Sequence, residues 1–217
     1  MSMFARVAAA HAGLVTAGAG WYFLTRDNAS PGRQESNSRA SEAATVERVL
    51  RGANSIVSAC RCLGFVCMQQ GTGGVPECRV MDLHRLSDET LEFGLVSRRF
   101  TRKAATFAER PGCTLAFHDP RAAGEAGYLV LSGDTREVVS PEERGACWKP
   151  SWSFFHPGPE APSVVQWRFV PRRLELVSNL HGLTDDWAPV TALREVDRPG
   201  APWLLQERRG RRECSEG

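Results

Sequence analysis

Between Ile56 and Ser178 the chain alternates short runs of β-branched, aromatic and cysteine residues with clusters of Gly, Pro and Asp. Runs of four to twelve such residues bounded by turn formers are the signature of antiparallel strands. The pattern predicts strands over 56–69, 77–86, 90–96, 113–118, 128–139, 164–170 and 174–178. The segments between them, GTGGVP, SDE, DPRAAGEAG and PRR, supply positive φ or a fixed φ at a bend. Runs 190–196 and 203–207 flank a turn at 197–200 and read as a closing hairpin. Helices are few. One is expected over 101–110, stopped by Pro111-Gly112, and another follows Ser140-Pro141-Glu142-Glu143, which has the Ser cap, first-position Pro and third-position Glu of a helix start. Val46, Val49 and Leu50 predict a short amphipathic helix that starts near Ser41 and stops near Gly52. The class is mainly β (α+β), and six or more strands with few helices favour a barrel, which removes exposed edges.

A chain of 217 residues suits one domain with a substantial core and a short appendage. The formal net charge is only +2, and acids are interspersed with the bases, so no basic stripe marks a nucleic-acid surface. Only two of the 27 basic residues are lysine, Lys103 and Lys149. The seven cysteines, Cys60, Cys62, Cys67, Cys78, Cys113, Cys147 and Cys214, form no Cys-x-x-Cys pair and have no His at zinc-finger spacing. No metal site is expected. Falling mostly in apolar runs, they read as reduced packing residues, which points to a reducing compartment.

Residues 1–26 carry a mildly apolar, Ala- and Gly-rich stretch from Val7 to Leu24, flanked by Arg6 and Arg26, with no acid before Asp27. It reads as a mitochondrial targeting segment or as a membrane anchor, and an uninformative tail is the remaining alternative. Residues 27–44 are polar and small, the composition of a flexible linker. Residues 45–208 hold the domain, and 209–217 read as a terminal tail.

Chemistry is concentrated where a strand runs into a helix, at Val96-Ser97-Arg98-Arg99-Phe100-Thr101-Arg102-Lys103. A helix start presents unpaired N–H donors and the positive end of a dipole, so an anion is favoured there. Ser97 and Thr101 add hydroxyls, and Arg102 and Lys103 can neutralise a phosphate. A solvated basic turn would look the same. Arg79 lies on the neighbouring predicted strand, where alternation groups Arg79, Met81 and Leu83 on one face. If that strand pairs with 90–96 through the SDE turn, Arg79 reaches the same place.

The order of these segments resembles the pyridoxamine 5′-phosphate oxidase-like flavin-binding split barrels: Arg79-Val80-Met81 on a strand, a strand ending at Ser97, Thr101-Arg102-Lys103 opening a helix, an Ala-Glu-Arg-Pro-Gly turn, then strands 113–118 and 128–133. The resemblance spans about 42–207. It implies a six-stranded split β-barrel, FMN as cofactor, and a homodimer with the flavin at its interface. It places Arg79, Val80 and Met81 along the isoalloxazine ring and Ser97, Thr101, Arg102 and Lys103 at the phosphate, and it adds Val96 and Tyr128 to the cofactor-binding positions. Trp148-Lys149-Pro150-Ser151-Trp152 followed by Phe154-Phe155-His156-Pro157-Gly158 looks like the corresponding segment of the general-stress-protein branch. There Trp148 and Trp152 would approach the ring, although large aromatics also serve as ordinary core anchors.

Several departures narrow the reading. Tyr128 falls where the true oxidases carry Gln, and their C-terminal Arg-x-His and Arg-Leu-x-Pro patterns are missing, which argues against oxidation of pyridoxamine phosphate. No catalytic acid or base stands out. The expected function is therefore FMN-dependent oxidoreduction of a small molecule of unknown identity. A non-catalytic flavin module and a haem or deazaflavin binder on the same barrel are the rivals. His118 and His181 read as turn residues, and Asp185-Asp186 as a solvated pair.

Overall fold

Among the described residues the first element opens at Thr45, whose hydroxyl accepts from Arg48 N at 3.2 Å and caps helix α1 (Val46–Ala59). The computed structural model describes residues 45–69, 76–121, 127–183, 188–198 and 201–206. Residues 1–44, the tip of the GTGGVP turn, Asp185, Asp186, Trp187 and the tail at 209–217 lie outside them, and with them the readings made there. Among the described residues no helix is long and apolar enough to cross a membrane.

Helix α1 does not stop at Gly52. Val49, Ala53, Ile56 and Val57 recur at i, i+4, i+7 and i+8 and are all buried. Packing of that stripe overrides the β preference of Ile56 and Val57, so the strand predicted from Ile56 begins only at Leu63. The strands are β1 (Leu63–Gln69), β2 (Pro76–Asp82), β3 (His84–Arg85), β4 (Phe93–Arg98), β5 (Gly112–His118), β6 (Gly127–Glu137), β7 (Val164–Ser178), β8 (Val190–Leu193) and β9 (Leu204–Leu205). Helix α2 (Arg102–Glu109) lies between β4 and β5, and α3 (Pro141–Cys147) and a 3-10 turn (Pro150–Phe154) lie between β6 and β7.

All pairings are antiparallel, in the order β2-β1-β5-β6-β7-β4-β3, with β8 on the second half of β7 and β9 on β8. Six strands, β1, β2, β4, β5, β6 and β7, carry the body, and the short ones trim its edges. The predicted turn at PRR is absent. Strand β7 runs through it with a bulge, where Pro171 sits opposite Gly133 and the register shifts. A Cβ on Gly133 would lie 2.2 Å from the Val170 carbonyl oxygen, so only glycine allows this approach.

The core faces inward from these six strands: Val66 and Met68 on β1, Met81 on β2, Phe93 and Leu95 on β4, Leu115 and Phe117 on β5, Leu129 and Leu131 on β6, and Trp167 and Phe169 on β7. Phe107 of α2 closes it against Trp167, their ring centroids 5.5 Å apart. On the outer side of β4, Gly94 leaves room for the carbonyl of Cys147, which would otherwise stand 2.8 Å from a Cβ, so α3 packs directly on the strand. A charged network ties the strands beyond it. The Arg168 guanidinium donates to Glu92 at 2.7 Å and to Glu143 at 3.0 Å, and Arg194 reaches Glu92 at 3.3 Å while covering the Trp203 ring. Burial works to raise the Glu92 carboxyl, but the hydrogen bonds and charges of Arg168 and Arg194 outweigh it and hold the group below the usual carboxylate range.

Candidate functional site

Helix α2 starts at Thr101, whose hydroxyl accepts from Ala104 N at 3.3 Å and donates to the Arg98 carbonyl at 2.8 Å. That hydroxyl is therefore committed to capping. The first turn then carries Arg102 and Lys103 and no acid. Two cations at the positive end of a helix oppose the dipole, an arrangement that costs stability unless an anion offsets it.

The sequence suggested that the strand bearing Arg79 pairs with 90–96. It does not. Strand β2 pairs with β1, Arg79 standing opposite Val66, and of the run predicted over 77–86 only the short β3 meets β4. Arg79 still arrives beside α2, because α2 packs against both β1 and β4. The meeting point is Glu77, two residues before Arg79 and so on the same face of β2. Its carboxylate accepts from the Arg79 guanidinium and forms an ion pair with Arg102 at 3.2 Å. Lys103 is half-buried, and its ammonium is pushed down first by that burial and then by the charge of Arg79. Arg79 and Arg102 thus share one carboxylate, and Lys103 stands close enough to Arg79 to feel its charge, which leaves a surplus of positive charge.

Ser97, at the end of β4, is 3 % exposed, and its hydroxyl has no hydrogen-bond partner among the described residues. A buried hydroxyl left unpaired costs on the order of 1–3 kcal/mol. Met81 is in the core, whereas Val80, on the other face of β2, is exposed. Val96 points away from Ser97 and forms a separate small cluster with Trp152 and Val164.

The tryptophan segment covers that cluster. Trp152 is fully buried in it, and half-buried Trp148 meets it edge-on at 5.6 Å. Lys149 anchors the segment to the end of β2 through the Asp82 carboxylate and the Leu83 carbonyl, the latter at 3.2 Å. His156 follows, its ring edge-on to Trp148 at 6.4 Å. Burial, and then the charges of Arg98 and Lys103, push the imidazole below its usual range. The segment therefore approaches the cation cluster from a second side. The Arg98 guanidinium donates to the Phe155 carbonyl at 3.4 Å, and Phe100, Phe154 and Phe155 stand exposed around this end.

The structure thus brings Arg79, Arg102 and Lys103 together, places Trp148 and Trp152 beside Val96, and commits Thr101 to its helix cap. Tyr128 lies on β6 opposite His118 and Val177, on strands other than those bearing the cations. His118 ends β5, and His181 stands in the turn after β7, its Nδ1 bonded to the Ser178 hydroxyl at 2.9 Å. Sequence reasoning missed Glu77 and His156. Period-two spacing from Arg79 marks Glu77, whereas nothing in the local pattern marks His156.

No protein-family model matches the chain, and no curated protein matches it by sequence. Solved structures do. A protein related to general stress protein 26 of B. subtilis, of the pyridoxinephosphate oxidase family, from Clostridium acetobutylicum superposes with a TM-score of 0.53 at 18% identity, covering 70% of this chain and 96% of that one. The fold is that of the pyridoxamine 5′-phosphate oxidase-like split barrels. A conserved hypothetical protein from Mycobacterium tuberculosis matches at 0.50 and 18% identity, over 69% of this chain and 95% of that one. A heme binding protein from Mycobacterium smegmatis matches at 0.50 and 14% identity, over 62% of this chain and 55% of that one.

Proposed function

We propose that this chain binds FMN, with Arg79, Arg102 and Lys103 holding the phosphate and Ser97 giving it a hydrogen bond. The observation that carries the reading is the gathering of three cations from two separate segments at a helix start that has no acid in its first turn. A phosphate dianion would offset both the dipole conflict and the repulsion between Arg79 and Lys103, and the lone Glu77 carboxylate offsets them only in part. The unpartnered Ser97 hydroxyl fits the same group. Trp148, backed by buried Trp152, supplies apolar surface for a flat ring system.

Bound flavin supplies electron or hydride transfer, and the protein contributes position, dryness and charge. On this reading the activity is oxidoreduction of a small planar molecule stacked on the ring. The exposed Phe100, Phe154 and Phe155 support a homodimer that covers this end, since solvent-facing phenylalanines close together are typical of an interface core. Titration of the full chain with FMN and with riboflavin, followed by flavin fluorescence, tests the phosphate assignment. Tight FMN binding with much weaker riboflavin binding is the expected result. Equal affinities, or no binding of either, would overturn it.

A further inference from the structure

Strands β1 and β2 place two cysteines directly opposite one another: Cys67 pairs with Cys78 in the antiparallel register, two rungs beyond Phe65 and Val80 and so on the same face. Opposed residues of an antiparallel pair have Cα atoms about 4.5–5.5 Å apart, inside the range a disulfide spans. Both side chains leave the sheet on the same outer face, and their sulfurs are 2.8 Å apart as free thiols. Cys78 is exposed and Cys67 half-buried. An open cavity of about 540 Å³ has Cys67, Thr114 and Asp134 on its wall, so solvent and small solutes reach the pair from that side as well.

We propose that Cys67 and Cys78 are a redox-active pair that closes to a disulfide across the β1–β2 hairpin in response to a peroxide oxidant. Cys78, the exposed member, gives its proton to solvent. Its sulfur then attacks a peroxide oxygen, forming a sulfenic acid and releasing hydroxide. The Cys67 sulfur displaces the sulfenic oxygen, which leaves as water with the Cys67 proton. Two thiols are oxidised, one hydrogen peroxide is reduced, and two waters result. The Cys67 thiol is pushed up to about 11, by burial first and then by its neighbour Cys78, so it waits as the protonated resolving partner. Glu77 and Arg79, which help build the cation cluster, flank Cys78 along β2 and point to its other face. The pair itself does not depend on what that cluster binds.

The test is stepwise hydrogen peroxide treatment of the reduced full chain, with thiol counting and non-reducing fragment mapping. Chymotrypsin at Phe65 and Glu-C at Glu77 place Cys62, Cys67 and Cys78 on different fragments. The expected product joins the Cys67 and Cys78 fragments with the loss of two hydrogens. Two thiols per chain disappear and return with dithiothreitol, while buried Cys113 and Cys147 stay reduced. In Cys67→Ser, Cys78 stops at a sulfenic acid that dimedone traps, and in Cys78→Ser, Cys67 stays a thiol. The proposal is overturned if Cys78 passes to sulfinic acid with Cys67 still reduced, if Cys78 links to another cysteine, or if both remain thiols while Cys60 and Cys62 oxidise.

Discussion

Replacing Lys103 and Arg102 by alanine, singly and together, separates the phosphate reading from a merely basic surface, because the two cations differ in exposure. The Arg102 side chain is 77% exposed, so solvent screens its charge, and its loss is worth about 0.2–1 kcal/mol, at most about fivefold in Kd. Lys103 is half-buried, and a charge-assisted hydrogen bond from it contributes about 1.5–3 kcal/mol, roughly 10- to 150-fold. The double variant should therefore bind FMN about 15- to 700-fold more weakly, with most of the loss due to Lys103. Riboflavin, lacking the phosphate, should bind all variants alike. Stability should move the other way, since Lys103→Ala removes a desolvated ammonium repelled by Arg79. Fluorescence titration at fixed salt and chemical denaturation measure the two effects. An unchanged FMN affinity in Lys103→Ala, or an equal loss for riboflavin, would refute the assignment.

Three other perturbations test the fold that carries the site. Glu92→Gln leaves Arg168 and Arg194 short of a charge partner and should cost about 3 kcal/mol in chemical denaturation. The carboxyl of Glu92 is depressed in the folded protein, so its contribution is present above the unfolded pKa and fades as pH falls through the folded one; the variant should show a flatter loss of stability in acid. Cys113, buried against β1, is pushed up to about 12 by burial, then by Asp134 and Cys67. Above pH 9 the unfolded chain sheds this proton and the folded one keeps it, so stability falls with rising pH, by up to about 4 kcal/mol at pH 12. Cys113→Ala should reduce that alkaline slope, and an unchanged slope in pH-dependent denaturation would count against the burial argument. Gly133→Ala forces a Cβ to 2.2 Å from the Val170 carbonyl and should cost at least about 2 kcal/mol or shift the bulge, read by denaturation and by amide exchange along β7.

Much of this architecture is legible in the sequence wherever local chemistry and tertiary packing agree. Strands β5 and β6 alternate cleanly because one face of each is buried, and Ser140 with Glu143 announces α3, with Glu143 N bonded to the Ser140 hydroxyl. Disagreements mark places where packing wins. Ile56 and Val57 are β-branched, yet they complete a helical stripe. Pro171 reads as a turn until Gly133 on the neighbouring strand supplies the space for a bulge. The cation cluster was visible in its members, Arg79, Arg102 and Lys103. The strand pairing that was to deliver Arg79 was wrong, because a short SDE turn does not oblige its two flanks to pair along their length. Glu77 is marked by its two-residue spacing from Arg79, whereas His156 gains its place only from the way β2, α2 and the tryptophan segment converge, which no local pattern encodes.

The central claim is most directly tested by purifying the full chain, recording its visible absorbance, and releasing any chromophore by heat for chromatographic identification. FMN at about one per chain, retained through gel filtration, is the result the cation cluster predicts. A colourless protein that takes up no added FMN would contradict it, and a Soret band in place of flavin absorbance would assign the barrel to haem.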